Sequence, residues 1–217
     1  MKETHLSAAW DRIGSFALLF LASVAWFSCS TQPETARTSA APEARPASPQ
    51  PVSTASGSGS VVEKSFGPIK AKVPTEWTEQ TPSSSMRKAQ YALPKVSGDG
   101  EDGELAVFYF GQGQGGSVEA NIERWIGQIS QPDGSSSKDK AKTNKKEIGG
   151  MAVTLVDVSG TYSAGMMSNA PPRQAYRMLA AVAETTDGPW FFKLTGPEKT
   201  IAKWSSGFDQ FIASFKR

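Results

Sequence analysis

The chain has 217 residues, with 23 lysines and arginines against 21 acidic residues, so its net charge of +2 offers no basic surplus that would mark a nucleic-acid partner. Its single histidine, His5, and single cysteine, Cys29, both lie near the N-terminus. The remainder therefore has no imidazole or thiol for a metal site, a catalytic triad or a thiol nucleophile, and no partner for an internal disulfide.

Gly14 to Ser28 form an apolar stretch preceded by Lys2 and Arg12. It has the length of an export-signal core and is too short for a comfortable membrane span. Trp26, Phe27 and Ser28 lead directly into Cys29, an arrangement that resembles the signal of bacterial lipoproteins. The resemblance implies lipidation of Cys29, which becomes the mature N-terminus. It also implies an exported protein held by lipid at the periplasmic or extracellular face of a bacterial membrane. From Ser30 to Ser60 the chain is rich in Pro, Ala, Ser and Thr and almost free of large apolar groups, so it cannot offset the entropy of ordering. Fully extended, such a tether reaches ~90 Å at about 3.1 Å per residue. The expected organisation is a signal over 1–29, a disordered tether over 30–60 and one folded domain over 61–217.

Within the domain, Val61 to Ser65 and Ile69 to Val73 read as a hairpin around Gly67-Pro68. Met86 to Leu93 reads as a strand in which Arg87, Ala89, Tyr91 and Leu93 share one face, returning antiparallel to Leu105 to Phe110. That second strand is apolar throughout, as expected where both faces are covered. A glycine turn follows, then a helix capped by Ser117 with Glu119 in its first turn. Val118, Ile122, Trp125, Ile126 and Ile129 form its apolar stripe, with Asn121, Glu123, Arg124 and Gln128 facing elsewhere. Lys138, Lys140, Lys142, Lys145 and Lys146 read as a solvated loop, with a polyanion site or an anionic membrane surface as the alternatives. Gly149-Gly150 suits a tight hairpin between Lys145 to Ile148 and Met151 to Val158. A loop from Tyr162 to Pro172 leads to a last hairpin, Ala175 to Glu184 and Trp190 to Thr195. Pro197 and Glu198 then open a helix with Ile201, Trp204, Phe208, Phe211, Ile212 and Phe215 on one side.

Hairpin connections dominate this order, which predicts an α+β fold: an antiparallel sheet built of hairpins with two amphipathic helices packed on it. The VPTEW segment (Val73 to Trp77), Tyr109 to Gly116 and Gly188 to Leu194, together with the closing aromatic helix, resemble PsbP-type domains and a family of uncharacterised bacterial lipoproteins. That likeness implies a PsbP-like sandwich and carries no active site with it.

Gly111, Gly113 and Gly116 satisfy G-x-G-x-x-G between a strand and a helix. A dinucleotide site also needs a parallel βαβ unit with an acidic residue at the end of its second strand, about 20 residues on; here that region is Pro132-Asp133-Gly134 followed by the lysine-rich stretch, and Asp157 lies much too far downstream. The turn, Gly115 included, is instead expected to offer backbone N–H groups to an anion or a partner. Glu101, Asp102 and Glu104 read as solvated surface or a weak cation site. Tyr162, Met166 and Met167 line a groove, hold a soft metal through sulfur, or form an apolar loop for partner contact, the last being favoured because two methionines without histidine make a poor metal site. The sequence thus predicts a lipid-anchored, non-enzymatic accessory or binding domain at the bacterial cell envelope, with no cofactor, no metal and no nucleic acid, engaging an envelope protein. The alternative is a small-ligand carrier using a groove between sheet and helix, under the Tyr162 to Pro172 loop.

Overall fold

The computed structural model describes residues 59–165 and 170–217. The signal with Cys29, the tether up to residue 58, and Met166 and Met167 lie outside the described residues. No helix among those described is long and apolar enough to cross a membrane.

Two sheets form. The opening hairpin, β1 (Val61–Phe66) and β2 (Ile69–Pro74), forms a two-stranded sheet of its own, with a single antiparallel bridge from Lys70 to Lys216 near the C-terminus. The main sheet contains β3 (Thr78–Gln80), β4 (Arg87–Leu93), β5 (Gly103–Tyr109), β6 (Ile129–Ser130), β7 (Lys142–Ile148), β8 (Met151–Tyr162), β9 (Arg173–Thr185) and β10 (Gly188–Pro197). Its order is β3-β4-β5-β10-β9-β8, after which β6 and β7 share the outer edge of β8. Every pairing between the described strands is antiparallel. The parallel unit that a dinucleotide fold requires is therefore not formed around the glycine turn.

The helices are α1 (Val118–Ile126), the single-turn α2 (Ser137–Lys140) and α3 (Glu198–Ala213). On one face of the sheet, α3 and the β1–β2 hairpin close a core over alternate residues of the strands: Tyr91, Leu105, Val107, Val153, Ala181, Phe192 and Leu194. Phe66, Phe192, Phe211 and Phe215 meet there mostly edge to face, as their ring quadrupoles prefer. On the other face, α1 lays Ile122, Trp125 and Ile126 over Val156, Val158, Met178, Ala180, Val182 and Phe191.

Both ends of α1 are local devices. The Ser117 side chain accepts the Ala120 N–H at 3.1 Å, and Gly127 closes the helix. The helix ends earlier than its apolar stripe suggests: Ile129 belongs to β6, and its buried side chain continues the stripe from a strand. Asn121, expected to face away, is buried; its amide donates to Gly115 O at 2.7 Å and Ser117 O at 2.9 Å, so it ties the helix to the turn before it. At α3 the capping comes from far away. Asp99 Oδ2, in the β4–β5 loop, accepts from Thr200 N at 3.0 Å and Thr200 Oγ1 at 2.6 Å, placing an anion on the helix N-terminus.

Two further expectations change. The lysine-rich stretch is not a loop but α2 followed by edge strand β7, whose residues are almost all exposed. Lysines along an unpaired strand edge discourage pairing with another chain. Lys138 pairs with Glu123 at 2.9 Å and Lys145 meets Glu119 at 3.7 Å, all four side chains being exposed. The second is β8, which runs to Tyr162, several residues beyond the expected Val158. Gly149 and Gly150 do make the tight hairpin, both at positive φ; a Cβ at Gly149 would lie 2.3 Å from Phe215 O, so the C-terminus also requires glycine there.

Candidate functional site

The α1 side of the main sheet is only half covered by its helix. The half that α1 leaves free among the described residues, carried by β4, β5, the far part of β10 and the start of β9, presents polar and charged side chains. A cleft of about 420 Å³ opens there, bounded by Arg87, Glu101, Glu104, Arg173, Tyr176 and, from the end of β8, Tyr162. Ala164 and Ala170, on either side of the residues left undescribed, also line it.

Two β-bulges build this site. Along β4, Arg87 pairs with Phe108 while Ala89 pairs with Val107, so Lys88 is an extra residue in the ladder. Regular alternation would put Arg87 on the α3 face with Ala89 and Tyr91, as its sequence position suggests; the bulge turns it to the cleft face. There it forms an ion pair with Glu104 Oε1 at 2.8 Å and donates to Gln90 Oε1 at 2.9 Å, and its guanidinium lies 5.8 Å from the Phe108 ring centroid. Gln90 also donates to Glu104 Oε2 at 3.0 Å, and its own burial is thereby satisfied.

The second bulge lies in β9, where Gln174 and Ala175 stand against Thr161 alone. Arg173 and Tyr176, an odd number of residues apart, thereby reach the same face: Arg173 Nη1 donates to Tyr176 Oη at 3.2 Å and pairs with Glu101 Oε2 at 2.9 Å. Tyr162 stacks on Tyr176 with ring centroids 5.8 Å apart. Burial, then the bond to Glu101, push the Tyr176 phenol up to about 12; burial, then Glu104, raise that of Tyr162. Both rings stay neutral donors across ordinary pH. The bulge holds Ala175 at φ +52°, alone among the described non-glycine residues at positive φ. Left-handed backbone costs an L-residue roughly 1–2 kcal/mol. Ala175→Gly is therefore expected to raise folding stability by ~0.5–1 kcal/mol after the entropy of the added glycine is set against the relieved strain. Urea denaturation of the two chains is the check; a lower midpoint for the variant would show that the position is unstrained.

Behind Tyr162, on β10, lies Lys193, only 8% exposed. Its ammonium is held by Gln128 Oε1 and sits 5.9 Å and 5.2 Å from the ring centroids of Trp125 and Tyr162. Burial first, and then the positive charges of Arg124 and Arg87, push its pKa down to about 8.

The sequence-predicted contact residues are distributed unevenly around this site. Tyr162 lines the cleft, whereas Met166 and Met167 lie outside the described residues. Gly111, Gly113, Gly115 and Gly116 form the β5–α1 turn, away from the cleft residues and next to the β9–β10 hairpin, and all four take positive φ. The turn is pinned and not a free rim: Gln112 Nε2 donates to Thr186 O at 3.3 Å, and a Cβ on Gly115 would meet Phe110 at 2.5 Å. Glu101 and Glu104 are occupied by arginines, and Asp102 accepts the Lys95 N–H at 3.0 Å. Among the described residues no His, Cys, Asp and Glu grouping could hold a metal ion. Sequence reasoning missed Arg87, Arg173, Tyr176 and Lys193. Only Lys193 carried a local signal, a cation inside the apolar run Trp190 to Leu194.

No protein-family model matches the chain, and no curated protein matches it. Among solved structures it is similar to the cyanobacterial PsbP protein CyanoP from Synechocystis sp. PCC 6803, at 14% identity over 76% of this chain and 98% of that one, with a TM-score of 0.45. It is also similar to LpqN, involved in cell envelope biogenesis of Mycobacterium tuberculosis, at 12% identity over 75% and 86%, with a TM-score of 0.41. A third similar structure is PA94 from Pseudomonas aeruginosa, a protein of unknown function, at 13% identity over 72% and 96%, with a TM-score of 0.41.

Proposed function

We propose that this chain is a lipid-anchored, non-enzymatic binding domain at a bacterial cell envelope, and that it takes a small polar ligand in the cleft beside Tyr162. The observation that carries the ligand reading is the half-covered sheet face, where two bulges turn Arg87 and Arg173 toward one 420 Å³ cleft. That size falls within the roughly 300–1,000 Å³ of small-molecule sites. Bulges next to binding sites re-aim side chains in this way. A permanent protein partner is less favoured, because the large apolar side chains exposed among the described residues are Val61, Val62 and Met86, too few for an interface core.

The non-enzymatic reading rests on chemistry. With His5 and Cys29 both in the export signal, the domain has no imidazole or thiol, and each cleft glutamate is held by an arginine. The anchor rests on the apolar stretch that ends at Cys29.

Two measurements test the proposal. Mass spectrometry of the mature chain from the membrane fraction is expected to find Cys29 as an acylated N-terminus; a free thiol there removes the anchor. For the cleft, a thermal-shift screen of sugars, amino acids and carboxylic acids is expected to yield a stabilising compound whose effect disappears in Ala92→Phe, which sets a ring into the cleft. Equal stabilisation of that variant would place the site elsewhere.

A further inference from the structure

Every charged side chain lining the cleft already has its partner. Arg87 is paired with Glu104 at 2.8 Å, Arg173 with Glu101 at 2.9 Å, and Asp102 accepts a backbone N–H at 3.0 Å. The two ion pairs put a carboxylate beside each guanidinium, so an anion reaching Arg87 or Arg173 also meets Glu104 or Glu101, and a cation reaching either glutamate meets its arginine. Either charge gains a contact only against a like charge next to it, and gives up hydration that the contact must first offset. A hydroxyl group faces no such conflict. It donates and accepts at once, so a vicinal diol accepts from a guanidinium and donates to the neighbouring carboxylate while the ion pair stays intact. The other polar groups in the cleft are also uncharged: the hydroxyls of Thr195, Tyr162 and Tyr176 and the amide of Gln80.

We propose that the cleft binds a neutral polyhydroxylated ligand, a mono- or disaccharide free of ionised groups, whose hydroxyls bridge the Arg87–Glu104 and Arg173–Glu101 pairs. This rests on the cleft being a ligand site at all. The two bulges then act as specificity elements: without them Arg87 and Arg173 would face away from Gln90 and Tyr176, and the cleft would keep glutamates without guanidiniums, a lining suited to cations.

The test titrates the ¹⁵N-labelled full chain with a panel of neutral mono- and disaccharides, glucuronate, glutamate and the dipeptide Ala-Ala, following amide shifts at Arg87, Glu104, Tyr162, Arg173 and Thr195. The expected result is saturable movement of these amides with at least one neutral sugar and none with the charged compounds. Glu104→Gln should weaken that sugar about tenfold, since a bond to a charged acceptor is worth more than one to an amide. Thr195→Val, which leaves both ion pairs in place, should weaken it by a few-fold. Preferential binding of glucuronate, glutamate or Ala-Ala in the cleft overturns the neutral-sugar assignment while leaving the cleft as the ligand site. No movement of the cleft amides with any compound overturns both.

Discussion

Replacing Phe211 by alanine is expected to cost about 3–5 kcal/mol of folding stability, the upper range for a buried aromatic. Phe211 is 1% exposed on α3 and is where three elements meet: Phe66 of the first hairpin at 5.9 Å, Phe192 of β10 at 5.7 Å, and Phe215 beyond the helix at 5.2 Å. Trp77, on the segment between β2 and β3, adds a fourth ring at 5.5 Å. Removing the central ring leaves a void that its neighbours, each fixed by a different backbone element, cannot collapse to fill. Equilibrium urea unfolding of the full chain is the measurement. A loss below about 1 kcal/mol would mean that helix, hairpin and sheet do not share one core.

Replacing Lys193 by methionine is expected to act in the opposite direction, stabilising the fold at pH 7 by about 2 kcal/mol. The folded amine titrates at about 8 against an ordinary 10.5. Below pH 8 the ammonium exists in both states, and the folded chain bears the full cost of burying it. Between pH 8 and 10.5 the unfolded chain holds the extra proton, so stability rises with pH; above 10.5 the cost is gone. At 1.36 kcal/mol per pH unit, that interval corresponds to ~3 kcal/mol. The lost bond to Gln128 and the ring contacts of the ammonium with Trp125 and Tyr162 subtract from the gain. Denaturant midpoints at pH 7 and pH 10 measure it: the methionine variant should be ahead at the lower pH, with the gap narrowing toward the higher. A constant gap would show that Lys193 is not the titrating group. A residue that costs stability where it stands fits a place behind the cleft wall, because its ammonium lies 5.2 Å from the ring centroid of Tyr162, which lines the cleft.

Much of the architecture was legible in the sequence because it depends on neighbours in the chain. Ser117 caps α1 through a bond three residues long, and Gly149-Gly150 turns a hairpin with its own two φ angles. The stripe from Ile201 to Phe215 marks the buried side of α3 by its spacing alone. Alternation assumes an unbroken ladder, and the bulge after Arg87 breaks it by one residue, so Arg87 does not share the face of Ala89 and Tyr91 that its spacing suggests; the bulge before Tyr176 likewise brings Arg173 to the face of Tyr176. Asn121 and Gln128 looked like surface positions of an amphipathic helix, yet one closes the glycine turn and the other holds the Lys193 ammonium.

By itself the sequence determined the tally of chemical groups and the local elements: an antiparallel α+β domain without imidazole or thiol, closed by an aromatic helix. The tertiary structure alone decided the cleft. Arg173 finds Glu101 across 72 residues, Lys193 finds Gln128 across 65, and Thr200 finds its capping Asp99 across 101. Periodicity states which face a side chain takes, but a partner so distant in the chain is chosen only when the strands pair and their register is set.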